Sequence, residues 1–176
     1  MSELTIALAG NPNAGKTTIF NALTGLHQHT GNWPGKTVEK KEGKIEHSGI
    51  TINIVDLPGT YSLTAYSPEE IIARDFIIEE CPDVVINVVD ATNLERNLYL
   101  TVQLLELDVP LVIALNMTDA LQKEGAKIDL DHLSQLLGNI PVVHTAANHG
   151  KGVSELISKA VRTAKRNSSQ SEQTSL

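Results

Sequence analysis

A glycine-rich loop near the start of the chain lies between an apolar run and a helical pattern. The apolar run covers residues 4–9, and the loop over residues 10–17 reads G-x-x-x-x-G-K-T. Its glycines let the backbone approach a phosphate closely, so that successive N–H groups and a helix N-terminus point at the anion. In this pattern Lys16 neutralises charge on the β- and γ-phosphates, and the Thr17 hydroxyl is a ligand for Mg²⁺. The strand–loop–helix unit therefore predicts a nucleoside triphosphate site.

Strand-like and helical patterns alternate along the rest of the chain, which is typical of a layered α/β domain. The predicted strands are residues 4–9, 37–46, 50–55, 83–89, 111–115 and 141–144. The predicted helices are residues 16–25, 68–81, 94–105, 130–137 and a last one from 153. Residues 26–36 are polar and glycine-rich and are predicted to form a loop. For the helix after residue 93, we expect Leu94, Leu98, Val102 and Leu105 to face the core.

Length and composition limit the class of protein. The chain has 176 residues with 41% hydrophobic content and a formal net charge of -7. We expect one domain over residues 1–166 and a disordered polar tail over residues 167–176. No apolar run approaches the roughly 18 residues that cross a bilayer. The acidic balance argues against nucleic acid as a partner, because phosphate backbones are bound by clustered Lys and Arg. The single cysteine, Cys81, excludes an internal disulfide and is expected to be buried.

Short polar patterns follow three further strands, at the carboxyl ends where nucleotide sites of open α/β sheets lie. Residues 56–59 read D-x-x-G, which suits an aspartate near Mg²⁺ and a glycine N–H at the γ-phosphate. Residues 116–119 read N-x-x-D, and the Asp119 carboxylate can accept both N1–H and N2–H of guanine, a pair that adenine does not offer. The small residues 145–147 would let a backbone N–H approach guanine O6. Each pattern is weak alone, but their order and placement predict a GTP-binding domain.

Four longer strings resemble the cytosolic G domain of the ferrous iron transport protein B family, which is related to translation-factor-type, potassium-activated GTPases. They are GNPNAGKTT at residues 10–18, GNWPGKTVE at 31–39, DLPGTYSL at 56–63 and NVVDATNLERNL at 87–98. The resemblance covers roughly residues 4–165. It implies the P-loop GTPase fold of the α/β class, with a mostly parallel six-stranded sheet, one antiparallel edge strand and helices on both faces. It also implies a slow GTPase that regulates ferrous iron uptake.

The resemblance implies roles for the mobile segments. Thr37 would be the switch I threonine that binds Mg²⁺ when the γ-phosphate is present, and switch II would begin at residues 56–59. Thr60 stands where many signalling GTPases carry a water-positioning glutamine, so catalysis needs another device. In this family the device resembles a bound K⁺ that is held by the Asn13 side chain and by switch I carbonyls.

The expected site residues fall into three sets. The catalytic set is Asn13, Lys16, Thr37 and Gly59. The GTP-binding set is Gly10, Asn11, Pro12, Asn13, Ala14, Gly15, Lys16, Thr17, Thr18, Gly35, Lys36, Thr37, Asp56, Leu57, Pro58, Gly59, Asn116, Met117, Asp119, Thr145, Ala146 and Ala147. The metal ligands are Thr17, Thr37 and Asp56 for Mg²⁺, and Asn13, Gly31 and Trp33 for K⁺.

Two single residues carry further expectations. Trp33 is the only tryptophan and lies in a polar loop, so we expect it to be exposed as a switch or cofactor contact. Met117 stands where most GTPases have a lysine that packs along the guanine, so we expect modest nucleotide affinity and fast exchange. Arg74 and Arg96 could act as arginine fingers, but their helical setting favours a solvated surface.

The resemblance implies GTP and GDP as ligands, together with a transmembrane iron-permeation region and a helical regulatory segment that this chain lacks. Assembly into a homo-oligomer stays open as well. It implies a location at the cytoplasmic face of the cell membrane, with this fragment itself soluble. Three alternatives stay open at this point: a K⁺-dependent GTPase of ribosome assembly or tRNA modification, a binding switch with negligible hydrolysis, and an ATPase.

Overall fold

A single mixed sheet with helices on both sides forms the domain in the computed structural model, which describes residues 3–174. The strands are β1 (Glu3–Gly10), β2 (Gln28–Asn32), β3 (Glu39–His47), β4 (Ile50–Asp56), β5 (Val84–Asp90), β6 (Leu111–Asn116) and β7 (Val142–His144). The helices are α1 (Lys16–Thr24), α2 (Pro68–Glu79), α3 (Leu94–Glu106), α4 (Thr118–Lys123), α5 (Leu130–Leu136) and α6 (Val153–Thr174). None of the helices in this described part is long and apolar enough to cross a membrane.

The sheet has the strand order β2-β3-β4-β1-β5-β6-β7. Strands β4, β1, β5, β6 and β7 are parallel neighbours, whereas β3 runs antiparallel to β4 and to β2. The mostly parallel α/β fold is thus confirmed, but the count of six strands is wrong. The extra strand, β2, lies in the segment that was predicted to be a loop. All five of its residues are exposed, so no apolar alternation marks it, and backbone pairing with β3 alone defines it.

Two apolar layers flank the central strands, because β1 and β5 are covered by helices on both faces. On one face, Ile6 and Leu8 of β1 belong to a cluster that includes residues of α1 and α6. On the other face, Ala7 and Ala9 pack in a cluster with residues of α2 and α3. The carboxyl ends of the parallel strands therefore share one edge of a rigid sheet, and the loops that follow them are brought together.

Helix α2 begins as its sequence predicts. The Ser67 side chain accepts a hydrogen bond from the Glu70 backbone N–H at 3.2 Å, and Pro68 occupies the first helical position. The Glu70 carboxylate reaches back to accept the Tyr66 backbone N–H at 3.0 Å. This bond, together with hydrogen bonds from neighbouring hydroxyl groups, lowers the pKa of Glu70. Capping of the helix therefore explains why a glutamate occupies position 70.

The buried face of α3 differs from the predicted one. Leu100, Leu104, Asn97 and Thr101 are buried, whereas Val102 is exposed. The apolar periodicity misses this face because two of its members are polar side chains with internal partners. Asn97 accepts a hydrogen bond from the Asp90 backbone N–H at 3.1 Å, and Thr101 donates one to Asn87.

Two expectations about chain segments also need correction. Helix α6 continues to Thr174, so residues 167–174 are helical and not a disordered tail, while residues 175–176 lie outside the described residues. The packed first turns of α6 propagate into the polar segment, where the Ser168 and Ser169 hydroxyls donate to the carbonyls of Ala164 and Lys165. Cys81, expected to be buried, is exposed because it follows the last turn of α2.

Candidate nucleotide-binding site

The phosphate loop, residues 10–17, connects the end of β1 to the start of α1. Gly15 has a left-handed φ of 92° immediately before the first helical residue, Lys16. A Cβ atom on Gly15 would collide with the side-chain nitrogen of Asn116. Glycine is therefore required at this position both by the backbone angle and by the close approach of the loop after β6.

A cavity of about 540 Å³ opens over this loop. It is lined by residues of three chain segments: Asn11, Pro12, Asn13, Gly15, Lys16, Thr17, Thr18, Gly59 and Met117. The structure thus brings together the phosphate loop, the glycine of the D-x-x-G pattern and the loop after β6. Backbone N–H groups at the start of α1, and the positive end of its dipole, favour an anion in such a cavity.

Asn116 links three loops through its buried side chain. Its amide nitrogen donates to the Ala14 carbonyl in the phosphate loop at 3.0 Å. Its amide oxygen accepts the Thr145 hydroxyl and the Ala147 backbone N–H, each at 3.1 Å. These bonds fix the loop after β7 against the phosphate loop, so that the backbone of Ala146 and Ala147 lies beside the N-x-x-D segment.

Asp119 is the predicted guanine-reading carboxylate, and its side chain is partly exposed. Its Oδ2 atom lies 3.2 Å from Nε2 of His149. Partial burial raises the pKa of Asp119, but hydrogen bonds from the backbone N–H groups of Ala120 and Asp119, with the charge of His149, outweigh it and hold this pKa below its ordinary value. The carboxylate is therefore ionised at neutral pH, as an acceptor for two N–H donors must be. His149 was not among the predicted site residues, because a lone histidine in a loop carries no spacing signal.

Lys16, which lines the cavity, forms a buried ion pair with Asp56. Burial raises the pKa of Asp56, and the charge and hydrogen bond of Lys16 oppose this effect without cancelling it. Both groups are thus held in a poorly solvated place where an anionic phosphate or a cation would be a favourable additional partner.

The residues expected to hold Mg²⁺ are only partly assembled. Thr17 lines the cavity, and Asp56 pairs with the cavity residue Lys16, so two residues with oxygen ligands of the type that Mg²⁺ prefers are close to the phosphate loop. Thr37 is exposed in the turn between β2 and β3 and does not line the cavity. Gly35 and Lys36 lie in the same exposed turn. Among the described residues, no cluster of three His, Cys, Asp or Glu side chains suits a metal ion.

The residues expected to hold K⁺ are separated in this structure. Asn13 lines the cavity with a left-handed φ of 67°. Gly31 is instead paired with Lys40 in the β2–β3 ladder, and the Trp33 carbonyl accepts the backbone N–H of Lys36 at 2.9 Å. The backbone of the segment that is expected to form switch I is thus engaged in a hairpin at the edge of the sheet.

The expectation that Trp33 is exposed is wrong for this structure. Its side chain is 8% exposed and packs edge-on against Phe76 of α2, with 5.6 Å between ring centroids. The Lys40 ammonium lies 5.2 Å from the centre of the indole ring. A polar sequence around a tryptophan does not reveal that the hairpin folds the ring back under the sheet edge.

The remaining predicted residues are positioned by the strands that precede them. Gly10 ends β1, and its carbonyl accepts the Thr60 backbone N–H at 3.1 Å. Leu57 is fully buried in the core, so only its backbone can face a ligand. Pro58 is partly buried beside it. Arg96 is exposed, with its guanidinium carbon 4.1 Å from the centre of the Tyr61 ring, and Arg74 pairs with Asp75.

The fold and the loops at its strand ends define a P-loop protein of the GTPase class. A sequence profile of the family described as "Ferrous iron transport protein B" matches residues 4–160. The chain therefore belongs to the FeoB family and corresponds to its N-terminal G domain.

Similar proteins agree with this assignment. The Fe(2+) transporter FeoB of Salmonella typhimurium is 53% identical over 160 residues, which cover 89% of this chain and 21% of that protein. The FeoB G-domain of Methanococcus jannaschii is 50% identical, with a TM-score of 0.83 over 94% of this chain and 99% of that one. A GDP-bound point mutant of NFeoB from S. thermophilus is 52% identical, with a TM-score of 0.86 over 93% of this chain and 63% of that one. The chain spans about a fifth of the length of the curated relatives that it matches.

Proposed function

We propose that this domain binds GTP and GDP and hydrolyses GTP slowly. One observation carries the proposal: the Asn116 side chain bonds the phosphate loop and the loop after β7 at the same time. A single ligand can therefore contact the phosphate loop with its phosphates and the Asp119 region with its base. The GDP-bound structure of the S. thermophilus relative supports the same ligand class.

The chemistry follows from the residues around the cavity. Water attacks the γ-phosphorus, the bond to the β–γ bridging oxygen breaks with its electron pair leaving on GDP, and a proton of the water passes to an oxygen of the released phosphate. Lys16 would exchange part of its pairing with Asp56 for the phosphate oxygens. The backbone N–H of Gly59 would bond the γ-phosphate. Thr17, Asp56 and later Thr37 would hold Mg²⁺, which neutralises phosphate charge when it is bound.

Switch I must rearrange for this set of ligands to form. Thr37 lies in a turn that is held by the Trp33–Val38 and Lys36–Trp33 backbone hydrogen bonds. Its transfer to the phosphates would open that turn and part of the β2–β3 ladder. We propose that this ordering and release is the nucleotide-dependent switch.

A bound K⁺ would supply positive charge beside the phosphates, in the role that an arginine finger has elsewhere. Its proposed ligands are the Asn13 amide and the carbonyls near Gly31 and Trp33, once switch I leaves the hairpin. To test this part, GTP hydrolysis would be measured for the wild type and Asn13→Ala, each in KCl and in NaCl. We expect K⁺ to accelerate only the wild type. An equal rate in the two salts, or acceleration of the variant as well, would refute the cation role.

The names of the relatives extend the proposal to the whole protein. Because those proteins are Fe(2+) transporters and this chain matches only their G domain, we propose that its nucleotide state regulates ferrous iron uptake by a membrane region. The domain would then act at the cytoplasmic face of the membrane. In the described residues we find no cluster suited to iron itself, so the proposed role is regulatory.

Nucleotide binding can be tested directly with this chain. Fluorescently labelled GDP would be titrated with the protein, and unlabelled GDP, GTP and ATP would compete for the site. We expect displacement by both guanine nucleotides and none by ATP at the same concentrations. Competition by ATP as strong as that by GTP would refute guanine specificity and would support an ATPase.

A further inference from the structure

Asn11 stands out among the buried asparagines. Its residue is 3% exposed, yet neither its amide nitrogen nor its amide oxygen has a hydrogen-bond partner among the described residues. Asn87, Asn97 and Asn116 are similarly buried, and each of them is hydrogen-bonded. Burying an amide without partners costs the desolvation of both groups. Packing alone does not explain such a residue, because an apolar side chain of the same shape would avoid that cost.

The neighbours of Asn11 connect it to the start of switch II. Before it, the Gly10 carbonyl accepts the Thr60 backbone N–H at 3.1 Å. After it, Pro12 lies 3.3 Å from the Cβ position of Gly59. Asn11 itself is among the residues that line the phosphate-loop cavity. The unpartnered amide is thus held between two contacts to the same switch segment.

Switch II offers groups that such an amide can bind. In the described part of the chain, the peptide groups of Gly59 and Tyr61 form no hydrogen bonds. A side-chain amide carries one acceptor and one donor group, which match the N–H and C=O of a peptide unit. Asn11 lies between Gly10 and Pro12, the two residues that already contact this segment, so its amide is well placed to reach those groups.

We propose that Asn11 is a positioning residue for GTP hydrolysis, whose amide bonds the switch II peptide groups near Gly59 when the γ-phosphate draws that segment against the phosphate loop. In the arrangement that this structure shows, these bonds are unmade. The inference rests on the proposed GTPase function. It assigns to Asn11 an effect on the turnover of bound GTP and not on folding.

The first test uses Asn11→Leu, since leucine has nearly the shape of asparagine without its polar atoms. Single-turnover hydrolysis at saturating GTP, GDP affinity and the Tm of the nucleotide-free protein would be measured for this variant and the wild type. We expect hydrolysis of bound GTP to fall roughly tenfold or more and the Tm to stay equal or rise, while the affinity measurement establishes that each protein is fully occupied. A lower Tm with an unchanged rate per folded molecule would identify a merely structural residue and overturn the proposal.

A matched pair, Asn11→Ser and Asn11→Ala, covers the case in which leucine does not fit. The two variants leave similar space and differ only in a hydroxyl, so serine should retain several times more turnover than alanine. Equal turnover in the pair would overturn the proposal.

Failure of this inference can be distinguished from failure of the proposed function. A wild type without GTPase activity refutes the proposed function, whereas an active wild type with an equally active Asn11→Leu refutes only the role of Asn11.

Discussion

The side-chain nitrogen of Asn116 donates a hydrogen bond to the carbonyl of Ala14 at 3.0 Å, across 102 positions of sequence. This bond makes the phosphate loop and the N-x-x-D loop one unit, because the same side chain also holds Thr145 and Ala147. A site for phosphates and a site for a base are therefore mechanically coupled by the protein itself.

We expect Asn116→Ala to weaken both the fold and the site. The substitution leaves three buried polar groups without partners, which should lower the free energy of unfolding by about 2–4 kcal/mol. GDP affinity should fall at least roughly tenfold, because the base loop is no longer fixed against the phosphate loop. Chemical denaturation and GDP titration check the two effects.

Thr101→Val is the matched control for Asn116→Ala. It removes the buried hydrogen bond that joins Thr101 of α3 to Asn87 of β5. Because this bond lies away from the cavity, the substitution should destabilise the fold and leave GDP affinity unchanged. If Thr101→Val weakened GDP binding as much as Asn116→Ala, the effect on the site would be a general consequence of lower stability.

Asp119→Asn should change the preferred base from guanine to xanthine. Xanthine carries a carbonyl where guanine carries the N2 amine, so an amide can accept N1–H and donate to that carbonyl. A carboxylate has no such donor. We expect the affinity for GDP to fall by at least about a hundredfold and that for xanthosine diphosphate to rise, by the same competition assay. A variant that lost affinity for GDP without gaining affinity for xanthosine diphosphate would show that Asp119 does not read the base.

Met117→Lys should slow nucleotide release. The Met117 methyl carbon lies 3.7 Å from the Cβ position of Gly15, so this side chain already covers the phosphate loop, but without a charge or a donor. A lysine in its place could bond the loop carbonyls and pack along the base. We expect GDP dissociation, followed by stopped-flow fluorescence, to slow several-fold. Met117→Leu keeps the apolar contact and should leave the rate unchanged; an equal change in both variants would exclude the charge as the cause.

Much of the fold and part of the site could be predicted from the sequence, for physical reasons that differ between segments. Strands buried on both faces, such as β5, read as continuous apolar runs, and the Ser67 cap marks the start of α2. The family assignment from the four strings is confirmed by the profile match. The seventh strand could not be predicted, since β2 is polar and exposed and is held only by backbone pairing.

The positions of the switch I residues were the least predictable part of the site. The sequence motifs indicate which residues would bind Mg²⁺ and K⁺ when a triphosphate is present. In the structure, Thr37, Gly31 and Trp33 lie instead in a hairpin away from the cavity. A motif encodes which side chains can meet a ligand, but the energy difference between two backbone arrangements depends on non-local contacts such as Trp33 with Phe76. The pairing of His149 with Asp119 is non-local in the same sense.

Trp33 should report the opening of switch I. In the hairpin it is 8% exposed and lies against Phe76, and its indole N–H is buried without a partner in the described residues. Moving Thr37 to the phosphates displaces the backbone four residues after Trp33, so the ring should leave its site between the sheet edge and α2. Because the chain has one tryptophan, its emission should shift to longer wavelength, and acrylamide quenching should increase, with a non-hydrolysable GTP analogue and not with GDP.

Phe76→Leu tests the cause of that shift. Losing the edge-on ring contact should favour the open form, so part of the shift should be present without nucleotide. Tyr66→Leu replaces an aromatic residue that is 92% exposed and should leave the emission as in the wild type. Calorimetry would establish that the analogue is bound. Unchanged Trp33 emission in a fully bound sample would mean that Thr37 reaches the phosphates without releasing the ring, and the hairpin would then not be the switched element.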